Sequence, residues 1–212
     1  MRAVSETPRA VVFDLGGVLF DWNPLHLYRK LIADEQQRRR FLSEICPIDW
    51  HRLQDAGDDS ELATRRLQAR FPEHRALIGA WYGRFDEMLA PPFPEMVALV
   101  ERLKANGVGL HLLSNAPGFM QEWLTTGRLR RAHEFLGAFG NVVVSGAEQL
   151  AKPDHRIYAL TAKRGGFQPK DAVFIDDSAT NVEGARAAGW QAIHHSSPAA
   201  TIAALRKIGL PV

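Results

Sequence analysis

Four short, nearly continuous apolar runs along the chain each stop at a polar or acidic residue and are each followed by a helical pattern. They span 10–14 (AVVFD), 108–115 (VGLHLLSN), 141–145 (NVVVS) and 172–177 (AVFIDD), and a fifth run, 191–195 (QAIHH), completes the set. Runs of this kind suit strands buried on both faces, as in a parallel sheet covered by helices. Between them, 95–106 carries Met96, Val97, Val100 and Leu103 on one helical face and stops at Gly107, 154–163 opens on Asp154 as N-cap, and 181–188 stops at Gly189. Strand and helix alternating in this way predict an α/β fold with a doubly wound parallel sheet. Such sheets bind ligands beyond the carboxyl ends of their strands, which gathers Asp14, Ser114, Asn115, Asp176 and Asp177 at one edge.

The first crossover breaks the pattern. A strand-helix-strand connection needs a dozen residues or somewhat more, yet about 90 separate Asp14 from the run at 108. An inserted helical domain accounts for the excess, with helices expected over 24–33, 35–45, 60–70 and 75–89, and breaks at Pro47, at 56–59 and at Pro72. Pro91, Pro92 and Pro94 read as a stiff hinge back to the sheet. The expected division is a core of residues 1–22 and 92–212 with a helical cap of residues 23–91.

Composition narrows the class. The 212 residues are 46% hydrophobic and 24% charged, the balance of a globular chain long enough to bury its own core. Lys and Arg number 26 against 24 acidic residues, a surplus too small to point to nucleic acid or a membrane surface as partner. The runs Arg38-Arg39-Arg40 and 128–131 (RLRR) have no interleaved aromatics and read as solvated helix faces. The one cysteine, Cys46, cannot form an internal disulfide and reads as an inert apolar residue, which suits a reducing, cytoplasmic location. The opening MRAVSETPRA lacks an apolar core and reads as a short loose tail.

Taken together, 11–19 (VVFDLGGVL), 112–115 (LLSN), Lys152-Pro153-Asp154 and 174–181 (FIDDSATN) resemble the four ordered motifs of the haloacid dehalogenase-like hydrolases. Each motif alone has a plainer reading: a turn at Asp14, a strand end at Ser114, a helix start at Lys152, an N-cap cluster at Asp176. All four in order, at strand ends and over nearly the whole chain, are specific. The resemblance implies a Rossmann-like core and a helical cap after the first motif. It also implies Asp14 as nucleophile, splitting one displacement at phosphorus into two. Lys152 and Ser114 would stabilise the transferring phosphoryl group, and Asn115 and Asn181 would hold the surrounding loops in place. Mg²⁺ would be held by Asp14, Asp177 and the main-chain carbonyl of Gly16, with Asp176 on the metal or its waters.

Gly16 departs from the commonest phosphatase pattern, which has a second Asp there as general acid; Asp21 and His26 are nearby groups able to supply a proton. The Asp176-Asp177 pair favours a phosphatase over the metal-free 2-haloacid dehalogenases, since like charges gathered without a cation raise one another's pKa. The expected activity is therefore a Mg²⁺-dependent phosphomonoester hydrolase acting on a small phosphorylated metabolite, such as a sugar phosphate, as a monomer or homodimer. The alternatives are a dehalogenase-type hydrolase and a catalytically idle binding or regulatory module. His194 and His195 read as ordinary edge residues. Trp22, Trp50, Trp81, Tyr82 and Phe85 read mostly as cap core, with one or two lining the substrate pocket.

Overall fold

A computed structural model describes residues 7–212; the expected N-terminal tail lies largely outside the described residues. Among the described residues there are seven strands: β1 (Ala10–Phe13), β2 (Phe20–Trp22), β3 (Leu89–Pro92), β4 (Gly109–Ser114), β5 (Asn141–Val144), β6 (Ala172–Asp176) and β7 (Gln191–His194). Five of them form one all-parallel sheet in the order β5-β4-β1-β6-β7. The chain winds outward from β1 through β4 to β5, then returns to the other side of β1 for β6 and β7. Strand order therefore reverses around β1, and the crevice at its carboxyl end is where such a sheet binds ligands.

Alternation along the strands divides the core between the two faces of the sheet. Val11, Phe13, Leu110, Leu112, Val173 and Ile175 face one side, and Ala10, Val12, Leu113, Ala172 and Phe174 the other. Helix Pro94–Ala105 covers the first face through Met96, Leu99, Val100 and Leu103, spaced i, i+3, i+4, i+7. Leu99 takes the fully buried place that the sequence pattern assigns to Val97, which packs at the margin. Helix His155–Gly165 covers the second face through Ile157 and Tyr158. The expected terminators hold: Gly107 and Gly189 adopt φ of +74° and +85°, and Asp154 caps its helix by accepting from Arg156 N at 2.9 Å.

The long crossover is helical, as its composition predicts: Pro24–Leu31, Glu35–Arg40 running on into a π-turn over Phe41–Ile45, Ser60–Arg70, and Arg75–Gly83 followed by a 3₁₀ turn over Phe85–Met88. Its Tyr28, Phe41, Ile78 and Trp81 join the same hydrophobic cluster as the first face of the sheet, and Cys46 is buried among them with its thiol pushed up to about 12 by desolvation. Two elements differ from expectation. Helix Ile48–Asp55 is present where no apolar periodicity announces one, because the side it buries is polar: His51 and Gln54 are enclosed while Ile48 and Leu53 are exposed. Pro91 and Pro92 belong not to a hinge loop but to β3, which pairs antiparallel with β2 through Phe20–Pro92 and Trp22–Leu89. A two-stranded ribbon leaves an outer edge where proline's missing N–H costs nothing. Among the described residues, no helix is long and apolar enough to cross a membrane.

Candidate active site

Asp14 follows the central strand directly, and the backbone of β1 carries its carboxylate to the crevice. Its Oδ1 accepts from Leu15 N at 2.7 Å and pairs with Lys152 Nζ at 2.9 Å. Lys152 Nζ also donates to Asp176 Oδ2 at 2.7 Å and to Leu113 O at 3.1 Å. The side chains of Lys152 and Asp176 are wholly buried, and that of Asp14 is 11% exposed. One ammonium with three acceptors thus ties β1, β4 and β6 together from a loop that follows β5.

That loop is itself held. Asn115 clasps the Lys152 main chain, donating from Nδ2 to Lys152 O at 3.0 Å and accepting from Lys152 N at 2.9 Å. Asp176 is saturated by protein donors: Oδ1 accepts from Ser178 N at 2.8 Å, and Asn181 Nδ2 lies 3.1 and 3.2 Å from its two oxygens. Asp177 instead lines the cavity, its main-chain carbonyl 2.8 Å from His194 Nε2. Gly17 has φ +73°, and a Cβ there would run into the Asp177 carboxylate. Only glycine gives this turn both its left-handed conformation and room for that acid.

Oxygens of Asp14, Asp176 and Asp177 all lie within 4.8 Å of one another. Burial pushes the Asp14 carboxyl up to about 7; Lys152 pulls against this, and Asp176 and Asp177 add to it. Asp177 is raised by burial and by Asp176, with Lys152 and His195 opposing. Desolvation disfavours the Lys152 ammonium, but Asp14 and Asp176 together hold its pKa above the ordinary value. Three carboxylates against one ammonium leave negative charge uncompensated in a partly buried site, and that excess of hard oxygen donors fits a divalent cation.

The cavity above this cluster encloses about 690 Å³. Its floor holds Asp14, Gly16, Gly17, Ser114, Asn115, Lys152, Asp177 and Asn181, so the residues expected from sequence come together there, Asp176 standing just behind. Trp22 and Phe85 are the two expected aromatics that reach it, while Trp81 is packed in the interior of the cap region. Asp21 lines the cavity and pairs with His26 at 2.8 Å. His51, Arg52 and Asp55 also line it, from the helix that the sequence pattern did not reveal. Their signal was present only as a short polar segment between Pro47 and Gly57 with His51 and Asp55 four residues apart, on one helical face.

Comparisons with known proteins agree with this geometry. A sesquiterpene phosphatase of Aspergillus oryzae is 28% identical over 205 residues, covering 95% of this chain and 97% of that protein. A phosphorylated carbohydrates phosphatase of Thermotoga maritima is 29% identical over 198 residues, covering 87% and 83%. In structure, a haloacid dehalogenase family enzyme of Bacteroides thetaiotaomicron, solved with magnesium and inorganic phosphate, superposes with a TM-score of 0.64 at 19% identity, over 88% of this chain and 93% of its own. The family model for haloacid dehalogenase-like hydrolases matches residues 8–189, from just before β1 to the end of the helix after β6. With its carboxylates and lysine assembled on that framework, the chain belongs to the haloacid dehalogenase-like hydrolases.

Proposed function

We propose that this hydrolase cleaves small phosphomonoesters through an aspartyl-phosphate on Asp14, with Mg²⁺ as its cofactor. The observation that carries the reading is the buried Asp14–Lys152–Asp176 chain, at 2.9 and 2.7 Å, with Asp177 across from it. A dehalogenase attacking carbon has no use for two further carboxylates beside its nucleophile, and their mutual repulsion would raise the nucleophile's pKa. The Aspergillus and Thermotoga relatives, both named as phosphatases, support the same choice.

In this reading Asp14, Asp177 and the Gly16 carbonyl hold the ion, and Asp176, already saturated, acts by fixing Lys152 and through the ion's waters. When bound, the ion neutralises charge between carboxylate and phosphate. Lys152 favours the ionised form of Asp14, orients it and faces the phosphoryl oxygens, which Ser114 and neighbouring main-chain amides also reach. Asn115 keeps Lys152 in register. Asp14 then attacks phosphorus in line, the ester oxygen leaves on the opposite side, and water releases phosphate from Asp14.

The proposed core comprises residues 1–22 and 92–212 and the cap residues 23–91. The adjacent strands β2 and β3 carry the chain out of the core and back, which gives a closing motion one narrow ribbon to pivot on. The test is phosphate release from 4-nitrophenyl phosphate and a panel of sugar phosphates in MgCl₂. Turnover is expected to vanish with EDTA and with Asp14→Asn; activity that survives either change overturns the proposal.

A further inference from the structure

Gly16 cannot offer a side chain to protonate a leaving oxygen, yet two other carboxyl groups line the catalytic cavity. Asp21 is about half exposed and already paired with His26 at 2.8 Å. Asp55 differs in every respect. Its side chain is 14% exposed, and Oδ1 is buried with no hydrogen-bond partner, the nearest cation-forming group being His51 Nε2 at 3.4 Å. A buried polar oxygen left unsatisfied in a cavity wall calls for an explanation, and a catalytic role toward a group bound in the cavity supplies one.

The backbone pins this carboxyl against the catalytic floor. Asp55 O accepts from Ser145 Oγ at 2.5 Å, and Ser145 Oγ in turn accepts from Ala116 N at 3.0 Å, two residues beyond Ser114. Asp55 is also the last residue of helix Ile48–Asp55, where the helix dipole disfavours a negative charge and so favours the acid form. In an in-line displacement from Asp14 on the floor, the leaving oxygen lies on the far side of phosphorus, toward the cap.

Resting on the phosphomonoesterase reading, we propose that Asp55 is the general acid of this enzyme, supplied from the cap in place of a side chain at position 16. As Asp14 bonds to phosphorus, the P–O ester bond breaks, its electron pair stays on the departing oxygen, and the Asp55 proton moves to that oxygen. The resulting Asp55 carboxylate then accepts a proton from the water that attacks the aspartyl-phosphate, restoring both groups. Burial supports this by pushing Asp55 up to about 7, against Arg52 on its own helix and Lys152 from the sheet side. His51 and, on the neighbouring helix, Tyr82 are the other titratable groups facing it. A carboxyl poised near neutrality serves best as acid and base in turn.

The experiment compares wild type, Asp55→Asn and Asp21→Asn on glycerol 3-phosphate, whose alkoxide leaving group needs a proton, and on 4-nitrophenyl phosphate, whose leaving group needs little. Asp55→Asn is expected to lower kcat/KM for the alkyl ester by about 10² to 10⁴ and for the aryl ester by less than about tenfold. It should also abolish the fall in alkyl-ester kcat/KM above neutral pH. Equal losses on both esters, no loss on either, or the selective loss appearing in Asp21→Asn instead overturns the assignment. Should Asp55→Asn fail to fold, wild-type rates across a series of substituted aryl phosphates decide: a shallow dependence on leaving-group pKa supports an internal acid, and a steep one overturns it. A wild type that hydrolyses neither ester overturns the phosphatase reading along with this one, whereas an active wild type with an unselective Asp55→Asn overturns this one alone.

Discussion

Replacing Lys152 with Met removes the only ammonium from the carboxylate cluster while keeping most of the side-chain volume. In the wild type Nζ satisfies Asp14 at 2.9 Å, Asp176 at 2.7 Å and Leu113 O at 3.1 Å. Breaking a buried ion pair by deleting one partner costs about 3–5 kcal/mol. Asp14 can escape part of that cost, because burial already holds its pKa at about 7 and a proton is readily available there. Asp176 keeps Ser178 N and Asn181 as donors, so the lower end, about 3 kcal/mol, is the expected loss at pH 7. For a chain of this length that corresponds to a drop in Tm of roughly 6–12 °C. Urea denaturation followed by tryptophan fluorescence, in chelator so that no metal offsets the loss, measures it directly. Hydrolysis should fall at the same time, since a protonated Asp14 cannot attack phosphorus. A destabilisation under about 1 kcal/mol, or turnover within tenfold of wild type, would refute the reasoning that this ammonium holds the site together.

Two further outcomes follow from other neighbourhoods. Burial lowers His51 to about 3, so acidification from pH 6.5 protonates it only in the unfolded chain and erodes stability. Burial raises Asp55 to about 7, so acidification from pH 7 toward 3.8 protonates the unfolded chain later than the folded one and adds stability. The two slopes, each up to about 1.4 kcal/mol per pH unit, nearly cancel between pH 4 and 6.5. Asp14, also near 7, adds a further rise toward acid in every variant. Urea titrations across that range should therefore show stability rising more steeply toward acid than wild type in His51→Gln and less steeply than wild type in Asp55→Asn; parallel slopes in the two variants would contradict the assignment. Gly17→Ala should cost about 1–2 kcal/mol for the left-handed backbone alone. It should also weaken Mg²⁺ binding by more than tenfold in calorimetric titration, because the new Cβ displaces Asp177; unchanged affinity would remove Asp177 from the metal site.

How much of this was legible beforehand depends on the range of the forces involved. Buried parallel strands must be apolar on both faces and must stop where a polar group meets solvent or ligand. The runs ending at Asp14, Ser114 and Asp176 therefore announced both the sheet and the edge at which its chemistry gathers. Glycine and aspartate at helix ends act through their immediate neighbours, so Gly107, Asp154 and Gly189 were equally readable. What only the tertiary structure decided depends on contacts between segments far apart in the chain. Leu99 rather than Val97 was buried with Met96, Val100 and Leu103 because the opposing sheet set the rotation of its helix. Pro91 and Pro92 became a strand because Phe20 and Trp22 lay beside them. Helix Ile48–Asp55 formed without an apolar stripe because it is fastened elsewhere: Ser145 holds its last carbonyl, and Tyr82 lies 3.0 Å from His51. The burial that sets the acidity of Asp14 and Asp55 likewise comes from distant elements closing over them, and a one-dimensional pattern holds no record of how little water remains.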